Sequence, residues 1–477
     1  MSLFVVYDRY PTSLFRFFEA ICAIPHGSGN EKAIADYIED FAKREGLEYT
    51  RDSVNNVFIK KPATPGREDE PAIMLQAHTD MVCEKNADTV HDFLTDPLDL
   101  YVEDGWLRAR GTTLGADDGI GVAIMLALLL GASVKSHPAL ECLFTVSEET
   151  GMDGVMNFDF SQVSARRLIN LDAAEVDTII AGCAGGVRCR VAFELEQVKN
   201  TREAIEIKIC GLAGGHSGEN IKDGRGNANK LMGRLLSQLG DISLVSINGG
   251  GKTNAIPREC IATVALDNID EAKALISKYE AEIKNELAAF DAGFEIKVTE
   301  LGTPDKAFSK EDTRRVISFV QCVANGVLKM SNKINGLVEY SRNLGVITTN
   351  GGKIELSFLA RSGINAQLDD SCREIEALAK LCGAEVAYDE RYGGWDFAEK
   401  SPLRERYAAA YREIVGKDPK IESIHAGLEC GFIIDNIPDM DIISVGPNEV
   451  DIHSPDERLE LASVELIWKI IEKTLSK

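Results

Sequence analysis

No apolar run in this chain is long enough to cross a bilayer: the longest, Val122 to Leu130, falls far short of the about 20 residues that a helical span requires. Membrane partners are therefore not expected. Basic residues are also scarce, with 52 Lys and Arg against 76 Asp and Glu and a net charge of −24. That balance argues against nucleic acid, whose phosphates need a concentrated cationic surface. The 11 cysteines are odd in number and form no C-x-x-C pair, so reduced thiols in a cytoplasmic protein are expected. The start, Met1-Ser2-Leu3-Phe4-Val5-Val6-Tyr7-Asp8-Arg9, lacks the basic region and small-residue cleavage site of a secretory signal. There is no H-E-x-x-H and no G-x-G-x-x-G. Gly249-Gly250-Gly251-Lys252-Thr253 imitates the end of a phosphate loop. However, Ser246 stands where the first glycine belongs, and Asn254-Ala255-Ile256-Pro257 cannot open the required helix. In Gly215-His216-Ser217-Gly218-Glu219 the last residue replaces the final glycine of a nucleophile elbow.

What the chain does have is a set of apolar segments that end in acids and histidines. At 477 residues two or more domains are expected, and 44% hydrophobic content with a mean hydropathy of −0.10 fits a globular protein. Pro11 to Ile24 reads as a helix with Leu14, Phe15, Phe18 and Ile21 on one face. Asn30 is the expected N-cap of a second helix ending near Gly46. Val54 to Lys60 and Ala72 to Ala77 read as strands, the second delivering His78-Thr79-Asp80; Leu98 to Ala109 reads as a hairpin around Asp104-Gly105. Gly111 to Gly121 is a glycine-rich turn carrying Asp117 and Asp118, and it opens an apolar helix, Val122 to Gly131. Two carboxylates there would repel a pyrophosphate, which sets a dinucleotide site aside. The strand Leu140 to Val146 ends in Ser147-Glu148-Glu149-Thr150-Gly151, and Arg167 to Leu171 ends in Asp172. This alternation predicts a mostly parallel sheet with helices on both faces and ligands just beyond the strands' carboxyl ends.

After Gly182-Cys183-Ala184-Gly185-Gly186 the pattern becomes short polar-edged strands with amphipathic helices. A two-part α/β domain, 1–186 and 396–477, interrupted by an α+β insertion, 187–395, is the expected organisation. A weak echo suggests two related halves within the insertion. Thr253 to Cys260 leads into strand Ile261 to Leu266 and a helix from Asp270; Thr349-Asn350-Gly351-Gly352-Lys353 leads into strand Ile354 to Ala360 and a helix from about Asp369. Near the end, strand Asp441 to Val445 precedes Gly446 to His453. Ser454-Pro455-Asp456-Glu457 then reads as a capping box for a final helix carrying Leu459, Val464, Ile467 and Ile471.

His78, Asp80, Asp117, Glu148, Glu149, Asp172 and His453 are thus candidates for one site. Mixed nitrogen and oxygen donors suit Zn²⁺, with Mn²⁺ or Co²⁺ as alternatives. The set exceeds one tetrahedral ion and fits a pair bridged by one carboxylate, about 3.5–4 Å apart. Of the adjacent Glu148 and Glu149, one would bind metal while the other serves as general base toward a water.

Seven stretches, spread over nearly the whole chain in order, carry a family resemblance. They are His78-Thr79-Asp80, Leu114 to Gly121, Ser147 to Gly151, Asn170-Leu171-Asp172, Gly214-Gly215-His216-Ser217-Gly218, His425 to Gly431 and Ile452-His453-Ser454-Pro455. The chain resembles the dinuclear-zinc aminopeptidase/aminoacylase clan and, within it, the bacterial aminoacyl-histidine dipeptidases. The resemblance implies two zinc ions, one on His78, Asp117 and Asp172, the other on Asp117, Glu149 and His453, with Asp117 as the bridge. It implies that Asp80 orients His78, that Glu148 is the general base and that the insertion is a lid. From the lid, His216 would stabilise the oxyanion, Asn254 and Arg361 would bind substrate, Arg361 as clamp for a free carboxylate, and the Gly427-Leu428-Glu429 turn would line the pocket for the amino end. The implied reaction is hydrolysis of unblocked dipeptides, Xaa-His and broader, by a monomer or homodimer. An N-acyl amino acid deacylase or a tripeptidase is the alternative within the clan.

Overall fold

The computed structural model describes residues 5–131 and 134–476; of the opening stretch considered above, Met1 to Phe4 lie outside them. The chain divides into two compact units, one of residues 1–182, 397–423 and 428–477, the other of residues 183–396 and 424–427.

The first, α/β unit is built on an eight-stranded sheet. Its order is Glu48–Arg51, Val57–Lys61, Leu140–Thr145, Ile73–His78, Arg167–Asn170, Asp441–Ser444, Thr178–Cys183 and Lys420–Ile424. The four strands from Leu140–Thr145 to Asp441–Ser444 pair in parallel; the pairings of Val57–Lys61 and Thr178–Cys183 onto them are antiparallel. The fold class is α/β as expected, with the parallel register confined to the sheet centre. Every residue of Ile73–His78 is buried, so this strand is covered on both faces, as the near-continuous apolar run requires. Ile73, Leu75 and Ala77 point into a core built with helices Thr12–Cys22, Lys32–Glu45, Ala116–Leu130, Pro402–Val415 and Leu461–Ser476. Truncating Leu75, fully buried there, to Ala would cost about 2–5 kcal/mol.

The second, inserted unit carries a sheet ordered Glu295–Leu301, Ala204–Cys210, Cys260–Ala265, Ser243–Gly249, Val338–Asn350, Lys353–Ser362, Gly185–Glu194 and Glu385–Tyr392. Read inward from either edge, the order is fourth, first, third, second. Helices Ala228–Leu236 and Ile269–Glu286 complete one half, and Lys310–Cys322 and Asn365–Cys382 the other. The two halves meet where Gly249 pairs with Ile347.

Several local expectations shift. The second helix begins at Lys32 with Glu31 at the cap and no side-chain cap bond, so Asn30 is not its cap; Gly46 ends it at φ 66°. The glycine-rich turn is itself helical from Ala116 onward, with non-helical backbone at Asp117 and Asp118. The helices expected from Asp270 and about Asp369 start at Ile269 and Asn365. The capping box is the largest correction. The final helix starts only at Leu461, after strand Arg458–Glu460. Glu457 does not turn back on its own cap. Its carboxylate accepts backbone N–H bonds from Leu114 (2.7 Å), Gly115 (3.1 Å) and Ala116 (2.8 Å), at the start of the helix that carries Asp117. A short S-P-D-E pattern states local propensity only. Here the unsatisfied donors at a distant helix N-terminus hold the acid instead.

Candidate metal centre

Five segments bring the acidic and imidazole groups together. His78 ends its strand 1% exposed, and its Nε2 lies 3.0 Å from Asp117 Oδ1. The other oxygen of the same carboxylate, Asp117 Oδ2, lies 3.2 Å from His453 Nε2, and that nitrogen is 2.9 Å from Glu149 Oε1. One carboxylate therefore spans two imidazoles. Ligand atoms of His78, Asp117 and Asp172 fall within 4.8 Å of one another, as do those of Asp117, Glu149 and His453. A third, overlapping group joins His78, Glu148 and Glu149. His453 and Ser147 adopt left-handed backbone at φ 62° and 55°, uncommon for non-glycine residues and typical of positions held by their surroundings.

Asp80 has a role the spacing did not show. His78 Nδ1 faces the Asp80 backbone carbonyl at 3.0 Å, with the Asp80 carboxylate at 3.5 Å. That carboxylate accepts from Ser28 Oγ (2.8 Å) and from the backbone N–H of Glu148 (3.0 Å) and Glu149 (3.2 Å). It anchors the turn that carries both glutamates as well as standing behind the histidine. On the same turn, Glu31 accepts from Ser147 N (3.1 Å) and Oγ (2.9 Å).

The electrostatics call for added positive charge. Hydrogen bonds to the Asp117 and Glu149 carboxylates push the His453 pKa up to about 10. Burial opposes charging His78, yet the Asp117 and Asp80 carboxylates raise its pKa well above the ordinary imidazole value. Burial lifts Glu148 well above the usual carboxylate range, with Glu149 adding to it, and burial lifts Asp172 likewise, with Asp117 adding. The donor set of imidazole nitrogens and carboxylate oxygens fits divalent cations of zinc type.

Two buried glutamates have partners that the sequence reading did not assign. Glu457 is one; its pattern matched a local cap. Glu429 is the other, fully buried, accepting from Thr145 Oγ1 (2.8 Å) and Gln76 Nε2 while its Oε1 has no partner. Burial pushes its pKa up to about 7. Its only sequence signal was membership of the His425 to Gly431 motif. His26 and His137 are also buried, with Nδ1 facing the Ile24 and Pro138 carbonyls.

The remaining candidates lie in the inserted unit. His216 Nε2 is 3.4 Å from Arg361 Nη2. The two-residue strands Gly215–His216 and Ala255–Ile256 pair, and Ser217 N donates to the Asn254 carbonyl at 2.8 Å, so His216 and Asn254 are neighbours. Gly427 closes the short 424–427 segment of this unit.

A carboxylate bridging two imidazoles beside the ends of a parallel sheet's central strands, with paired glutamates on a neighbouring turn, is the arrangement of a metal-dependent hydrolase. Residues 74–477 match peptidase family M20/M25/M40, and the chain belongs to that family. It is 40% identical over 474 residues to the cytosol non-specific dipeptidase of Escherichia coli K12, covering 98% of both chains. The crystal structure of aminoacylhistidine dipeptidase from Vibrio alginolyticus matches with a TM-score of 0.90 at 39% identity, over 98% of this chain and 97% of that one. Aminopeptidase PepT of Bacillus cereus shares the fold at TM-score 0.56 and 15% identity, over 97% of each chain.

Proposed function

We propose that this protein is a cytoplasmic dipeptidase that cleaves unblocked dipeptides, Xaa-His among them. The observation that carries this reading is the Asp117 carboxylate shared between His78 and His453, with Glu148 on the turn beside it. One cation would be held by His78, Asp117 and Asp172 and the other by Asp117, Glu149 and His453, zinc being the first choice. When bound, such ions polarise a carbonyl and make a water acidic near neutral pH.

The chain's own groups do the rest. Glu148 accepts a proton from the attacking water as the carbonyl carbon is attacked, and the same carboxyl returns that proton to the leaving amine nitrogen. Asp80 fixes where Glu148 stands, through the Glu148 and Glu149 backbone N–H groups. His216 donates to the developing oxyanion. Arg361 holds the substrate's free carboxylate, and Asn254 and Gly427 contribute to substrate binding. The inserted unit acts as the lid, and its two-half topology supports reading it as a duplication.

Glu148→Gln tests the reading. It keeps shape and metal ligands, so zinc content should match the wild type while kcat on Ala-His falls by about 10²–10⁴-fold; unchanged turnover would overturn the assignment. Cleavage of Ala-His but of neither N-acetyl-Ala-His nor Ala-Ala-His separates a dipeptidase from a deacylase and a tripeptidase.

A further inference from the structure

Helix Ala116–Leu130 has no cap of its own. Its N-cap, Gly115, stands at φ 65°, and a Cβ there would come within 2.8 Å of Met81 Sδ. No side chain at that position can serve the N–H groups that lead into the helix. They are served from the far end of the chain. Glu457, 3% exposed, accepts the Leu114 and Gly115 N–H groups on Oε2 and the Ala116 N–H on Oε1. Asp117 follows directly, and its backbone (φ −76°, ψ 106°) leaves the helical range, so helical hydrogen bonding does not fix it. What holds it on its N-terminal side is the Glu457 carboxylate.

Glu457 is equally bound into the loop that carries His453, four positions earlier. Its N–H donates to the Ser454 carbonyl at 3.0 Å. The Ser454 hydroxyl donates to the Asp451 carbonyl (2.7 Å) and accepts from Asp456 N–H (3.2 Å), and Arg458 pairs with Asp451. The loop is closed on itself and holds His453 at its left-handed φ. Strand Arg458–Glu460 fastens its far side to strand Trp106–Ala109. One carboxylate therefore ties the His453 loop to the amides beside Asp117, where His453 Nε2 lies 3.2 Å from Asp117 Oδ2. The other ligands of the first cation group need no such tie, since His78 and Asp172 come from neighbouring parallel strands that hydrogen-bond to each other.

We propose that Glu457 is a positioning residue for the second cation site: it sets the span between Asp117 and His453, and with it the grip of Asp117, Glu149 and His453 on their ion. The first site, of His78, Asp117 and Asp172, is held without it. The inference rests on the two-cation reading above. A carboxylate suits the task because its two oxygens accept three N–H bonds at once. An amide in its place has one accepting oxygen and turns its own N–H groups toward those of the backbone.

The test withdraws zinc from the loaded full-length protein with a graded chelator and counts the zinc that remains, with thermal melting alongside. It compares the wild type, Glu457→Gln, His453→Ala and the double variant. Glu457→Gln should weaken one of the two ions by about 10–100-fold and spare the other. His453→Ala should retain one ion, and adding Glu457→Gln should not weaken that ion further, because the ligand through which Glu457 acts is already gone. Ser454→Ala, at a half-buried position, opens the loop and should weaken the same ion by a smaller factor; it replaces Glu457→Gln if that variant does not fold. A melting temperature that falls with both zinc affinities unchanged would make Glu457 a plain helix cap and overturn the inference. Equal weakening of both ions would overturn it too, as would an equal effect of Glu457→Gln with and without His453. A wild type that holds fewer than two ions would instead fell the two-cation reading, and the inference with it, before any variant is compared.

Discussion

His78 and His453 in the α/β unit stand against carboxylates, whereas His216 and His425 in the inserted unit stand near a guanidinium. In the first unit Asp117 and Glu149 raise the His453 pKa to about 10, and in the second, burial and Arg361 lower that of His425 to about 3. His216 is lowered in the same way, by burial first and Arg361 second. The same side chain is thus prepared for opposite tasks. One cluster has excess negative charge and suits cations; the other has one unanswered positive charge and suits an anion.

The largest effect that would sharpen this contrast is that of Glu148→Gln given above, because it removes the proton acceptor and leaves the proposed metal ligands and the arginine in place. Next comes Arg361→Ala, which removes the guanidinium of the second cluster. It should raise KM for Ala-His by about 10²-fold, the upper range for a hydrogen bond to a charged group, with zinc content unaltered. An unchanged KM would detach the inserted unit's cluster from substrate binding. Asp80→Ala should cost about 10–100-fold in kcat, as outer residues of metal sites do, while His78→Ala should lose metal outright. Equal metal loss in the two variants would contradict the separation of ligand from anchor.

The smallest effect concerns stability. An unfolded histidine titrates near 6.5, but folded His425 is held at about 3, so between these values only the unfolded chain takes up the proton. Its neutral ring contributes stability above pH 6.5 that is lost as pH falls toward 3. In metal-free protein, His425→Gln should therefore flatten the acid decline of the melting temperature, by up to one proton or about 1.4 kcal/mol per pH unit. A parallel decline in both proteins would mean that His425 is not held neutral.

Much of the α/β unit was legible because His78, Glu148, Glu149 and Asp172 sit just where apolar strands end. Ile73-Met74-Leu75 announces burial on both faces, and His78 follows directly. The same logic marked Glu148, Glu149 and Asp172, and the fold brings their ligand atoms near those of His78 and Asp117. What did not show was anything set by tertiary partners. Glu457 looks like a local cap because Ser454 and Pro455 precede it, yet its partners are the amides of residues 114–116. Glu429 carries no periodic signal, since its partners Gln76 and Thr145 come from two other strands. Asp80 was legible as a neighbour of His78 but not as the acceptor for the 148–149 turn. The antiparallel flanks of the first sheet were hidden too, because apolar runs of similar length serve either register.

The central claim is that a single carboxylate, Asp117, serves two cation sites at once. Zinc stoichiometry of the wild type and of Asp117→Asn, measured by plasma mass spectrometry after dialysis against trace metal, tests it most directly. The account predicts two equivalents in the wild type and the loss of both in the variant; one equivalent in the wild type, or a variant that retains two, would contradict it.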